Sequence, residues 1–239
     1  MTTGLLVSVR DSLEALDALA AGADLIDLKE PRNGALGPVS LDVMAHTVRM
    51  VNGRRPLSAA LGELLDQGTT RTVASLPTGI GLAKLGLAGC GSHEGWPALL
   101  AEALARLPEQ TSGVAVVYAD WRQAAAPPPA EVIEHGHRLG CRAVLVDTFH
   151  KTGVSLLDLW SMEQCGEVVA AVHERGMLAV LAGSLNAESI RRLLAVEADY
   201  LAVRGAVCAG PRTGRLVAER VRELRTMIAA YPGRPCVAG

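Results

Sequence analysis

Lysine is almost absent from this chain: Lys29, Lys84 and Lys151 stand against twenty arginines in 239 residues. A strong charge of either sign is missing too. A formal net charge of −2 with scattered arginines speaks against a nucleic-acid or anionic-membrane partner. No apolar run approaches the ~20 residues of a membrane helix, since Arg10, Lys29, Lys84 and many acids interrupt every stretch. The first eleven residues show neither a basic n-region nor an apolar h-region, so no secretory signal is expected. Five cysteines (Cys90, Cys141, Cys165, Cys208, Cys236) are odd in number, far apart and form no CxxC pair. They read as free buried thiols in a reducing cytoplasm. No HExxH or carboxylate cluster of metal-ligand spacing occurs, and His135 and His137, two apart on a helix, do not face each other. Neither a metal nor a cofactor is expected.

What is present is an alternation. Eight short apolar runs are separated by longer amphipathic ones: Leu5–Ser8, Leu25–Lys29, Leu57–Leu61, Gly81–Leu85, Val114–Tyr118, Ala143–Asp147, Leu178–Ala182 and Tyr200–Arg204. Such nearly continuous apolar runs suit parallel strands covered on both faces. Helical spacing links Leu13, Leu16 and Ala20, then Val43, Thr47 and Met50, then Ile190, Leu193 and Leu194. A last helix, about Leu216 to Ala230, aligns Val217, Val221, Leu224 and Ile228. Ala23–Lys29 also resembles Ala198–Arg204, each running through Ala-Asp into a strand that ends on a cation. A doubly wound sheet would carry GxGxxG after its first strand, whereas Arg10-Asp11-Ser12 follows here. The reading is therefore an α/β chain folded as one TIM (β/α)8-barrel domain over 1–239, close to the roughly 250 residues usual for that fold. Ala124–Ala130, with its three prolines, reads as a long βα loop rather than a linker.

Barrel chemistry sits at the C-terminal ends of the strands. Lys29 ends the second strand, Lys84 lies near the end of the fourth, and Lys151 follows the sixth just beyond Asp147, so all three lysines map to the catalytic rim. Arginine cannot give up its proton to become a nucleophile, whereas a desolvated amine can. Low dielectric and neighbouring cations both favour the neutral amine. Asp27, two residues before Lys29, shares its face of the strand and places a carboxylate beneath the amine. The plain alternative is a set of interior salt bridges, Lys29 with Asp27 or Glu30 and Lys151 with Asp147. A phosphate site is expected in the loops after the seventh and eighth strands, from Gly183, Ser184, Arg204 and Gly205. Arg32, in the glycine-bearing loop after Lys29, is a candidate for a second phosphate. Glu63 and Asp120 end the third and fifth strands and are possible acid or base groups, each alone reading as a cap or loop carboxylate; His150 is a possible substrate contact. Tyr118, Trp121 and Trp160 form no stacking platform.

The runs Leu5–Ser8, Gly22–Lys29, Gly34–Gly37, Ala83–Leu87, Val146–Gly153 and Leu181–Leu185 resemble the (5-formylfuran-3-yl)methyl phosphate synthase family, also called 4-(hydroxymethyl)-2-furancarboxaldehyde phosphate synthase, over nearly the whole chain. The resemblance implies a barrel lyase of methanofuran-type cofactor biosynthesis. Such an enzyme joins two glyceraldehyde 3-phosphate molecules through a lysine Schiff base, with loss of one phosphate and two waters. It implies Lys29 as the Schiff-base lysine and Lys84 as proton acceptor, with Asp147 and Lys151 completing the acid/base set. A small triose phosphate is then the expected partner, with a homo-oligomeric, cytoplasmic assembly. The alternatives are another Schiff-base aldolase acting on a phosphorylated sugar, or a barrel that only binds a phosphometabolite.

Overall fold

A computed structural model describes residues 3–232. Eight parallel strands close in sequence order into a barrel: β1 (Gly4–Val9), β2 (Leu25–Leu28), β3 (Leu57–Glu63), β4 (Leu82–Gly86), β5 (Ser112–Tyr118), β6 (Ala143–Asp147), β7 (Leu178–Leu181) and β8 (Tyr200–Val203). Helices intervene: α1 (Ser12–Ala20), α2 (Leu41–Val51), α3 (Thr69–Ala74), α4 (Trp96–Ala105), α5 (Pro129–Arg138), α6 (Leu156–Leu159), α7 (Met162–Glu174), α8 (Ala187–Leu193) and α9 (Ala218–Ala229). All eight expected strands are present, and the proline-bearing segment lies between β5 and α5 as a βα loop. Cys236 lies outside the described residues.

Alternate strand residues serve two cores. One face, including Val7, Ile26, Leu28, Ala59, Leu85, Val117 and Val146, packs under the helices. The other fills the barrel with Leu6, Leu25, Val114, Val116, Leu145 and Val180. Above this apolar floor the inward positions turn polar: Ser8, Asp27, Ser58, Lys84 and Asp147 are all buried. Local chemistry starts the helices. Asp11 and Ser40 accept from the N–H groups of Glu14 and Val43, and Ser161 forms a capping box with Gln164.

Two of the expected helix faces are rotated. In α1 the buried residues are Glu14, Ala15 and Ala18, and Leu13 is 68% exposed. In α2 they are Met44, Thr47 and Val51, with Met50 exposed. Alanines let α1 approach the barrel closely, and Glu14 is drawn inward by two arginines. The faces expected for α8 and α9 hold at Ile190, Leu193 and Leu194 and at Val221, Leu224 and Ile228, all buried, whereas Val217 caps α9 and is half-buried.

Candidate active site

Asp27 projects into the barrel from β2 and is buried by the strands on either side. Ser8 on β1 donates to its Oδ2 at 2.9 Å, Ser58 on β3 donates to Oδ1 at 2.8 Å, and Lys84 on β4 forms an ion pair with Oδ1. Burial opposes ionisation of Asp27, but the charges of Lys84 and Lys29 overcome it and hold the carboxyl below its ordinary range. Burial pushes the Lys84 amine down, and Asp27 restores part of its proton affinity. Lys84 is the third of five residues in β4 and only 3% exposed. It therefore lies one layer beneath the rim on which the sequence places it.

Asp147 ends β6. Its Oδ1 accepts from Lys151 Nζ at 2.7 Å and from the Thr148 N–H at 2.8 Å, while Lys151 also reaches Thr148 Oγ1 at 3.0 Å. Its buried Oδ2 has no hydrogen-bond partner among the described residues, and the Lys29 amine stands 3.7 Å from it in a looser ion pair, beyond hydrogen-bond range. Burial works against the Asp147 charge, yet Lys151 and Lys29 keep its proton affinity low; burial lowers that of Lys151. Three amines thus meet two carboxylates. Lys84 and Lys151 are each hydrogen-bonded to a carboxylate; Lys29 stands in a looser ion pair with Asp147 and donates no hydrogen bond among the described residues. The expected bridge from Lys151 to Asp147 is present, whereas Lys29 bonds neither Asp27 nor Glu30.

A cavity of about 330 Å³ opens over these groups, lined by Lys29, Asp147 and Lys151 and by the loops after β7 and β8. Gly183, Ser184 and Gly205 all line it. Gly183 has φ +95°, and a Cβ there would press on Thr148 and Leu156, so only glycine fits. Gly205 has no such need, because a Cβ would meet nothing closer than 3.8 Å. The first turn of α8 is satisfied internally, since Asn186 Oδ1 accepts from Ser189 N.

Two expected phosphate ligands are corrected by their surroundings. Arg204 lines the cavity with its stem, but its guanidinium donors are spent. Nε donates to Arg212 O, Nη1 to Ser8 O and Glu14, and Nη2 to Glu14 and Gly214 O. Arg32 is exposed, does not line the cavity and has its loop capped by Glu30, which accepts from its N–H at 2.9 Å. A second arginine lines the cavity: Arg212, half-buried, bonded through Nη2 to Gly34 O at 3.1 Å and without a carboxylate partner among the described residues. Sequence reading missed it because it lies nine residues past the end of β8, on a loop. Glu14 was also missed. Burial would raise its proton affinity, but hydrogen bonds from Arg204 and Arg10 hold it down at about 2. Together with Arg10 Nη1, which donates to Thr213 O, this cluster fixes the loop carrying Arg212.

Of the remaining candidates, Asp120 accepts from the N–H groups of Phe149 and His150 and pairs with His150 Nδ1, clamping the loop after β6. Glu63 pairs with Tyr118 inside the barrel. Trp121 stacks under the Arg122 guanidinium, away from the cavity. Cys90, Cys141, Cys165 and Cys208 are free and buried.

The barrel is shared with solved structures of low sequence identity. Phosphoribosyl anthranilate isomerase from Thermus thermophilus superposes with a TM-score of 0.64 at 17% identity, covering 95% of this chain and 98% of that one. A 3-hexulose-6-phosphate synthase gives 0.59 at 17%, covering 93% and 99%. Sequence relatives say more. The (5-formylfuran-3-yl)methyl phosphate synthase of Methanocaldococcus jannaschii is 34% identical over 93% of this chain and 98% of its own length. That of Methanothermobacter thermautotrophicus is 30% identical over 95% and 99%. The family model described as 4-HFC-P synthase matches residues 5–225. With a match of that extent, the chain belongs to the 4-HFC-P synthase family.

Proposed function

We propose that this chain condenses two molecules of glyceraldehyde 3-phosphate into (5-formylfuran-3-yl)methyl phosphate, through a Schiff base on Lys29. The observation that carries the reading is the count of charges: three amines, two carboxylates, and Lys29 as the loosely paired amine facing the cavity. Nucleophilic attack requires an amine that can turn to a carbonyl carbon; Lys84 and Lys151 are held by the hydrogen bonds they donate to Asp27 and Asp147, and Lys29 donates none among the described residues. Lys29 adds to the triose carbonyl, and loss of water leaves an iminium that acidifies the neighbouring C–H bond. The unpartnered Oδ2 of Asp147, beside Lys29, is placed to take that proton, and Lys84 with Asp27 forms a second proton carrier below. The enamine of one triose expels its phosphate, and hydrolysis frees the resulting 2-hydroxypropenal. C2 of the Lys29 enamine of the second triose adds to the terminal carbon of that enal. The hydroxyl of the first triose closes onto the aldehyde of the second, two dehydrations give the furan, and hydrolysis of the remaining iminium returns its water and frees Lys29.

One phosphate leaves and the other stays, so two unequal anion environments are required. Lys151 and Arg212 supply positive charge in the cavity, and the backbone at Gly183 and Ser184 supplies close approach. The family membership supports the same product class, as the relatives' names state it.

Incubation with glyceraldehyde 3-phosphate should produce a furan-aldehyde absorbance together with one equivalent of inorganic phosphate. Borohydride added during turnover should leave a reduced adduct on Lys29, located by mass spectrometry. Lys29→Arg should fold yet lose adduct and turnover together, because a guanidinium stays protonated. Retro-aldol cleavage without furan, an adduct on Lys84, or substantial activity in Lys29→Arg would overturn the assignment.

A further inference from the structure

A half-buried acid inside the barrel takes no part in these steps. Glu63, at the end of β3, accepts from Tyr118 Oη at 2.6 Å through Oε1 and from the Ala88 N–H at 2.9 Å through Oε2. Both groups occupy the space over Gly86, where a Cβ would collide with Glu63 Oε2 and Tyr118 Oη. Gly86 is two residues beyond Lys84 on β4 and so faces the same way, which sets the pair directly above Lys84 in the barrel. Tyr118 is also the register partner of Asp147 on the adjacent strand, one strand spacing of about 4.8 Å away. The pair therefore adjoins two of the groups to which proton transfer is assigned.

We propose that Tyr118 is a further catalytic residue: its hydroxyl protonates a substrate hydroxyl that departs as water, and Glu63 behind it resupplies the proton. This rests on the Schiff-base reading, which requires two dehydrations and assigns bases but no acid. In each elimination Asp147 or Lys84 accepts the C–H proton and the new double bond forms. The C–O bond breaks, the leaving oxygen takes the proton of Tyr118 Oη, and Tyr118 Oη takes that of Glu63. The base and Glu63 return to their starting states by proton exchange, so each cycle releases one water and no net charge.

Burial also suits this division. Tyr118 is 1% exposed, whereas Glu63 is only partly buried and connects it to solvent. Burial raises the proton affinity of Glu63 and outweighs the hydrogen bonds from Tyr118 and Ala88. Asp66 on the loop after β3 and Asp147 on β6 add to the rise. The other titratable neighbours are Cys90, whose thiol is pushed up to about 11, Asp120 beside Tyr118, and Lys84 beneath. When Glu63 holds its proton it donates to Tyr118 Oη, which frees the phenolic hydrogen to point at substrate.

The test uses Tyr118→Phe and Glu63→Gln. Glutamine reproduces the protonated acid's shape, since its amide donates to Tyr118 and its carbonyl accepts from Ala88, so this variant keeps the fold even if Tyr118→Phe does not. Borohydride adduct on Lys29 should persist in both, while kcat falls by roughly a hundredfold or more, the typical worth of a positioned acid. Wild-type kcat should decline as pH rises through the Glu63 titration, and that limb should vanish in Glu63→Gln. A kcat within about threefold of wild type in either variant, or an unchanged alkaline limb in Glu63→Gln, overturns the proposal while the adduct keeps the Schiff base intact. Absence of adduct in the wild type removes both.

Discussion

Replacing Glu14 by glutamine keeps the size of a buried side chain and removes the single charge around which Arg10 and Arg204 are arranged. The carboxyl accepts from both guanidiniums and from the Arg10 and Leu216 N–H groups, and it titrates at about 2 against an ordinary 4.5. At about 1.4 kcal/mol per pKa unit, that depression corresponds to roughly 3 kcal/mol of folding stability. Loss of one partner from a buried pair falls in the same range, about 3–5 kcal/mol. Because the folded-state pKa is the lower one, the contribution is complete above about pH 4.5 and disappears as pH falls toward 2. Urea denaturation of wild type and Glu14→Gln at pH 7 should differ by about 3 kcal/mol, equivalent to a Tm drop of roughly 6–12 °C for a chain of this size. The gap should narrow steadily at pH 4, 3.5 and 3. A difference under about 1 kcal/mol at pH 7, or one that stays constant with pH, would refute the account of this cluster.

Two further outcomes separate the cavity's ligands from their neighbours. Arg212→Met should raise KM for triose phosphate by roughly ten- to a hundredfold, the worth of a charge-assisted hydrogen bond, with little change in Tm, whereas Arg32→Met should leave KM unchanged; equal effects would remove Arg212 from the site. Gly183→Ala should be destabilised and lose activity, because φ is +95° and Thr148 and Leu156 crowd the Cβ, while Gly205→Ala should fold and work normally. Thermal melts and steady-state kinetics on the two variants decide it.

The barrel was legible because its strands are nearly continuous apolar runs, a pattern that depends only on both faces being covered. The lysines were legible for a compositional reason: where arginine has taken almost every cationic position, the surviving amines stand out. Depth was not legible. Lys84 and Lys29 look alike along the chain, and only barrel closure shows that one is pinned to Asp27 between β1, β3 and β4 while the other faces the cavity. The surroundings of Arg204 were not legible either: a cation at a strand end binds phosphate through free donors, and its donors meet Glu14, 190 residues away in sequence, and three backbone carbonyls. The amphipathic pattern of α1 hid that glutamate, since Leu13 is the more apolar residue and yet faces water.

The hydrogen bonds that converge on Asp27 bear on more than proton transfer. In a barrel whose strands are apolar on both faces, sliding β2 by one residue against its neighbours costs little hydrophobic energy, because Ile26 and Leu28 would fill the interior about as well as Leu25. Such a slip would instead carry Asp27 and Lys29 outward beneath α1 and α2, away from Ser8, Ser58 and Lys84, stranding charges in a dry layer. The polar inner layer is thus a registration mark for the sheet. Any chain that aligns its strands well enough to fold without a buried orphan charge has, by the same alignment, already assembled the amines and carboxylates over one cavity.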